Sequence, residues 1–117
     1  MLNLMIAGML ALTAQDVPLD APDGMKRCML TETVRLGSSN TENSETIVRA
    51  AWTSCRPYVA HFDLQSRGEA QSQIYEVRRG ERGYAQTFEE VSEERKERVT
   101  GEAILALLDA RASRDSP

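Results

Sequence analysis

Asn43-Ser44-Glu45-Thr46-Ile47-Val48-Arg49-Ala50-Ala51-Trp52-Thr53-Ser54-Cys55-Arg56-Pro57 carries the pattern on which the fold turns. Ile47, Ala51 and Cys55 fall at intervals of four, with Val48 and Trp52 beside them. That is the period of a helix with one apolar face, whereas a strand would alternate every second residue. Asn43 or Ser44 offers a side-chain oxygen to the first free amides, and Glu42 and Glu45 suit the positive end of the helix dipole. Pro57 closes the pattern. Inside a helix it removes an amide donor and presses on the preceding turn, so the chain kinks there or begins a new helix with Pro57 in its first turn.

Upstream, Asp23-Gly24 opens an earlier helix that carries Met25, Cys28, Met29 and Glu32 on neighbouring turns and extends through Val34 and Leu36. Gly37-Ser38-Ser39-Asn40 stops it with a glycine and polar loop groups. So short a loop makes the two helices antiparallel neighbours. Cys28 lies near the start of the first and Cys55 near the end of the second, so the hairpin brings them together. Both sit on apolar stripes, and a bond between them stabilises by ~3 to 4 kcal/mol in the chain-entropy account.

Downstream the apolar face thins. Tyr58, Phe62 and Leu64 or Gln65 continue it, Gly68 interrupts it, and Ile74 and Val77 add a short patch. Arg78-Arg79-Gly80-Glu81-Arg82-Gly83 reads as a loop. From Tyr84 the helix resumes through Phe88 and Val91 into a charged run in which Glu93 and Lys96, Glu94 and Arg98, and Arg98 and Glu102 stand at pairing distance along one helix. Gly101 weakens that helix before Ile104, Leu105, Leu107 and Leu108 restore an apolar face. A long coiled coil is excluded, because steps of seven from Tyr84 reach Arg98, and the companion positions Thr87, Glu94 and Gly101 are not apolar. The expectation is an all-α domain over residues 25–112. It is built as a disulfide-stapled antiparallel helical hairpin followed by one or two longer polar helices, with residues 113–117 as a disordered tail.

Residues 1–14 contain no charge, are too short to span a bilayer as a helix, and end in small residues before Gln15-Asp16. That is the form of an export signal, and residues 15–24, rich in Asp and Pro, read as the linker that follows. The signal lacks a leading Lys or Arg. Leu12 is also large for its place two before Ala14, and cleavage after Thr13 would put Ala11 there instead. No Cys follows the run to take a lipid. The reading places the protein in the periplasm or outside the cell, where Cys28 and Cys55 oxidise and no stable membrane span remains after cleavage. Two alternatives keep the leader: an uncleaved anchor, or a first helix buried in a cytosolic regulator with reduced thiols.

The net charge is −4, and aromatics are few: one Trp, three Tyr and two Phe. An acidic chain does not attract nucleic acid or anionic membrane through its overall field. Arg78 to Tyr84 has the look of an Arg-Gly RNA-binding segment, but Glu81 interrupts it and it occurs once. His61 is the single histidine, too few to build a metal site with the ligands near it, and no Gly-x-Ser-x-Gly elbow is present. Carboxylates between Glu89 and Glu97 read as a solvated helix face. No enzyme, metal site or cofactor is expected. The candidate chemistry lies in surfaces: Tyr84, Phe88, Val91, Ile104, Leu105 and Leu108 either pack on the hairpin, form a homodimer or seat a partner helix. The function that follows is non-enzymatic binding of another envelope component. The rival is a periplasmic carrier of a small ligand or metal, for which Met25 and Met29 are the available methionines and suit a core equally well.

The stretch from Cys28 to Pro57, with Ala50-Ala51-Trp52-Thr53-Ser54-Cys55 facing the earlier cysteine, resembles small exported two-cysteine helical proteins of Gram-negative bacteria. The resemblance spans about a third of the chain. It implies the hairpin, the disulfide and export, and it brings no activity and no functional residues.

Overall fold

The computed structural model describes residues 17–115, so the leader, the first residues of the linker and the last two of the tail lie outside it. The described residues form four α-helices and one 3-10 turn, with no strand. These are α1 (Gly24–Gly37), α2 (Ser44–Ser54), the 3-10 turn Arg56–Tyr58, α3 (Val59–Arg78) and α4 (Phe88–Asp115).

The ends of these helices follow local chemistry. Asn43 caps α2, its side chain accepting from the Glu45 amide at 2.7 Å. Pro57 sits in the first turn of the 3-10 helix, whose Tyr58 amide donates to the Cys55 carbonyl, so the chain restarts there instead of continuing α2. Gly68 does not interrupt α3, because its position is open and exposed and the rest of the helix outweighs the propensity cost of about 1 kcal/mol. Gly80, at φ 76°, ends α3 with the Glu81 amide on the Glu76 carbonyl and its own amide on that of Val77. This is a Schellman turn.

The last helix begins at Phe88, not at Tyr84. Thr87 and Glu90 form a reciprocal capping box, each backbone amide donating to the other's side-chain oxygen at 3.1 Å. That box fixes the start and leaves Tyr84 in the loop. At the other end α4 continues through Asp115, three residues into the stretch read as tail. Its final turns are held there: Arg111 donates to the carbonyls of Gly37 (3.0 Å) and Glu42 (2.7 Å), and Arg114 to that of Ser38 (2.6 Å). These bonds tie the α1–α2 loop to the end of α4.

Contacts along α4 define the architecture. Trp52 meets Thr100, Phe62 and Ser66 meet Arg95, and Gln73 meets Gln86, so residue numbers in the α2–α3 rod fall as those in α4 rise. The rod therefore runs antiparallel to α4, which at 28 residues spans about 42 Å. Lys26 pairs with Glu102 and Gly37 meets Arg111, so α1 lies parallel to the second half of α4. One end of the molecule is a three-helix bundle of α1, α2 and α4. The other is a two-helix hairpin of α3 and α4, and the whole measures 59 × 31 × 22 Å.

The core belongs mainly to the bundle: Met25, Cys28, Met29, Val48, Ala51, Cys55, Tyr58, Phe62, Val99 and Ala103 form one buried cluster. The Cys28–Cys55 disulfide lies inside it, with Cα atoms 5.9 Å apart across 27 positions of sequence. The linker is not free where it is described. Val17 is buried, Tyr58 Oη donates to its carbonyl at 2.6 Å, and Gln65 donates to the Pro22 carbonyl. The hairpin interior is poorer in apolar area, with Ser66, Ala70, Gln73, Val91 and Ser92 as its buried residues. It is held instead by Arg95, which donates to the Phe62 carbonyl and Ser66 Oγ at 2.6 Å each and lies over the Phe62 ring at 4.1 Å. Burial lowers the Arg95 pKa from its ordinary value, the nearby Glu69 opposing it. The guanidinium remains a cation regardless. The ion pairs expected along α4 give way to contacts between elements, with Glu102 on Lys26 and Glu94 on Gln86.

Candidate functional site

Where the chain breaks between α2 and α3, an open groove of about 620 Å³ lies against α4. Its floor is Met25, Trp52, Val59 and Phe62. The Trp52 indole is fixed by its Nε1–H, which donates to Thr100 Oγ1 at 3.2 Å, and by Phe62, whose ring meets it edge-on at 6.2 Å. Arg49 and Arg56 rise on the α2 side, Asp63 on α3, and Glu93, Lys96 and Glu97 on α4. A shallower depression shares Arg49, Trp52 and Thr100 with the groove and continues it to Val48 and Ile104.

This groove takes in part of the surface expected from sequence and omits the rest. Ile104 is half-buried on its margin, and Leu108, one turn further along the same face, is 51% exposed. Leu105 stands beside them at 68% exposure. The other three members lie elsewhere. Val91 is buried at 1% between α3 and α4, Phe88 lies against the Arg67 guanidinium, and Tyr84 stands exposed in the loop. The six residues are therefore not one surface. Packing takes Val91 and in part Phe88, and water takes Tyr84. Ile104 shares a depression with Trp52, while Leu105 and Leu108 stand exposed further along α4.

In the sequence Trp52 lies beside the apolar stripe of α2, with no role attached to it. The groove depends on α4 crossing opposite that helix at Thr100, a contact 48 positions away. The available signal was a lone Trp on the flank of the stripe, not in its centre. Arg49, Arg56, Glu93 and Glu97 carried no signal, because each reads as an ordinary exposed helix residue.

The other candidates have local explanations. Arg79 pairs with Glu81 and Arg82 with Glu76, while Arg78 lies over Tyr75, so the Arg-Gly segment is a turn whose charges are largely answered within it. His61 is half-buried on α3, and among the described residues no three of His, Cys, Asp and Glu converge as metal ligands. Also among the described residues, no helix is long and apolar enough to cross a membrane.

Comparison with family models, with curated proteins and with solved structures finds no match for this chain. The likeness to exported two-cysteine proteins thus stands on the sequence around Cys28 and Cys55 alone.

Proposed function

We propose that this is an exported, non-enzymatic binding protein that holds another component of the cell envelope in the groove between α2, α3 and α4. The observation that carries the reading is the setting of Trp52. A half-exposed indole, fixed by Thr100 and Phe62, lines a groove that continues past it to Val48 and Ile104. Interface energy concentrates on such anchored aromatics in partly desolvated pockets, ringed by charge. The uncharged leader and the Cys28–Cys55 bond support an oxidising compartment.

The test is crosslinking in living cells, with a photoreactive amino acid at position 53 in the groove and, as a control, at position 81 in the distant loop. The reading predicts that position 53 captures one envelope component and position 81 does not. It also predicts that Trp52→Ala abolishes the capture while the disulfide and helix content persist. Equal capture at both positions, or capture indifferent to Trp52, would overturn it.

A further inference from the structure

We infer that the outer face of α4 pairs with α4 of a second copy, antiparallel, about a two-fold axis between Leu105 and Leu108. This face is separate from the groove. Thr100 and Ile104 line the groove and its continuation, whereas Gly101 and Leu105, each turned by about 100° from them, belong to the outer face.

The second half of α4 is covered on two sides, by α1 through Lys26 and by α2 through Trp52. Its third side carries Arg98, Gly101, Leu105, Leu108, Ala112 and Asp115, all exposed and spaced by three and four residues, which is one face of a helix. Leu105 and Leu108 are the large apolar side chains that α4 leaves in water.

This face is its own complement when reversed. Outward from the midpoint of Leu105 and Leu108, Gly101 and Ala112 come next at equal distances, both small. Arg98 and Asp115 follow, again at equal distances and opposite in charge. A two-fold axis at that midpoint sets Leu105 on Leu108, brings the backbones close where Gly101 meets Ala112, and places Arg98 against Asp115, each contact occurring twice. A parallel pairing would instead put Arg98 on Arg98 and Asp115 on Asp115. The order of residues therefore selects the antiparallel copy.

The charges beside the face modulate this pairing. One Asp115 oxygen already accepts from Arg114 of its own chain at 3.0 Å. Glu102 and Asp109 flank the face and meet across the axis, where Lys26, 3.5 Å from Glu102, offsets their repulsion. The face also ends at Arg98, because seven residues earlier Val91 is buried. The paired stretch is about 25 Å long. So short a contact makes a dimer that dissociates on dilution.

Sedimentation equilibrium over a range of concentrations tests the pairing, on the protein purified from its cells with the disulfide intact. The wild-type mass is expected to rise with concentration from that of one chain towards that of two. Leu105→Asp puts a charge at the axis and is expected to keep the single-chain mass throughout. Leu105 is exposed, and far-UV circular dichroism checks that the helices remain. Two charge variants test the arrangement itself. Arg98→Asp sets carboxylate against carboxylate at both ends and is expected to weaken association several-fold. Asp109→Lys sets an ammonium opposite Glu102 and is expected to strengthen it several-fold. A wild type that keeps the single-chain mass at every concentration would overturn the dimer. So would an Arg98→Asp variant that associates like the wild type, or an Asp109→Lys variant that associates no better. None of these results touches the crosslinked component by which the groove is tested.

Discussion

A methyl group added at Gly37 would lie 2.8 Å from Leu107 Cδ1 and 3.0 Å from Ile47 Cγ2. Leu107 is fully buried and Ile47 nearly so, which leaves neither room to retreat. Gly37→Ala is therefore expected to destabilise by about 1–3 kcal/mol, as overpacking does. Gly68 presents the opposite case: it lies inside a helix, with nothing within 4 Å of the added atom. Gly68→Ala is expected to stabilise by about 0.5–1 kcal/mol, through the backbone entropy removed from the unfolded chain. Urea unfolding of the two variants measures both, and a shared sign would contradict the packing described for α1 against α2 and α4. The sequence alone could not separate these glycines. One reads as a helix stop and the other as an interruption, yet the first is a close-approach point between three helices and the second is merely a weak residue. What decides is Leu107, a neighbour contributed by α4 from far along the chain, which no local pattern contains.

Among the elements, α1 and α2 were the most legible, because the i, i+4 stripes and the Asn43 cap are local signals and the two cysteines added a distance. The structure places that disulfide at the break where α2 gives way to the 3-10 turn, pinning the start of α1. Replacing both cysteines by Ala is expected to lower stability by about 3–4 kcal/mol, a large share for so small a domain, measured as the shift in urea midpoint. An unchanged midpoint would mean that the bundle core, not the staple, fixes α1. The hairpin of α3 and α4 was the least legible. Its start at Thr87 rests on a capping box that the charged run of Glu residues obscures, and its interior is built from Ser, Ala and Gln, which have no apolar periodicity. The same poverty predicts its dynamics. Amides in the distal part of α3 and the first turns of α4 are expected to exchange faster than those around Cys28, Ala51 and Ala103. Native-state hydrogen exchange reads this directly, and equal protection throughout would show that Arg95 and the Gln73–Gln86 pair stabilise the hairpin as well as the bundle core does its own helices.

For the molecule as a whole, the fold class could be read from composition and period, but the groove could not. The groove lies where the chain restarts at Pro57 against α4, and its charged lining comes from α2, the 3-10 turn, α3 and α4. In the proposed function, export links the levels. It puts the chain where Cys28 and Cys55 oxidise, the staple then holds α1 on the bundle, and the bundle holds Trp52 against Thr100. The measurement that tests this chain of dependence most directly is the intact mass of the protein recovered from its cells, with thiols alkylated before and after reduction. The account predicts a mass short by about fourteen leading residues, with no label until the disulfide is reduced and two labels afterwards. A full-length mass with both cysteines labelled at once would contradict it, returning the chain to a reducing compartment and making the leader part of the folded protein.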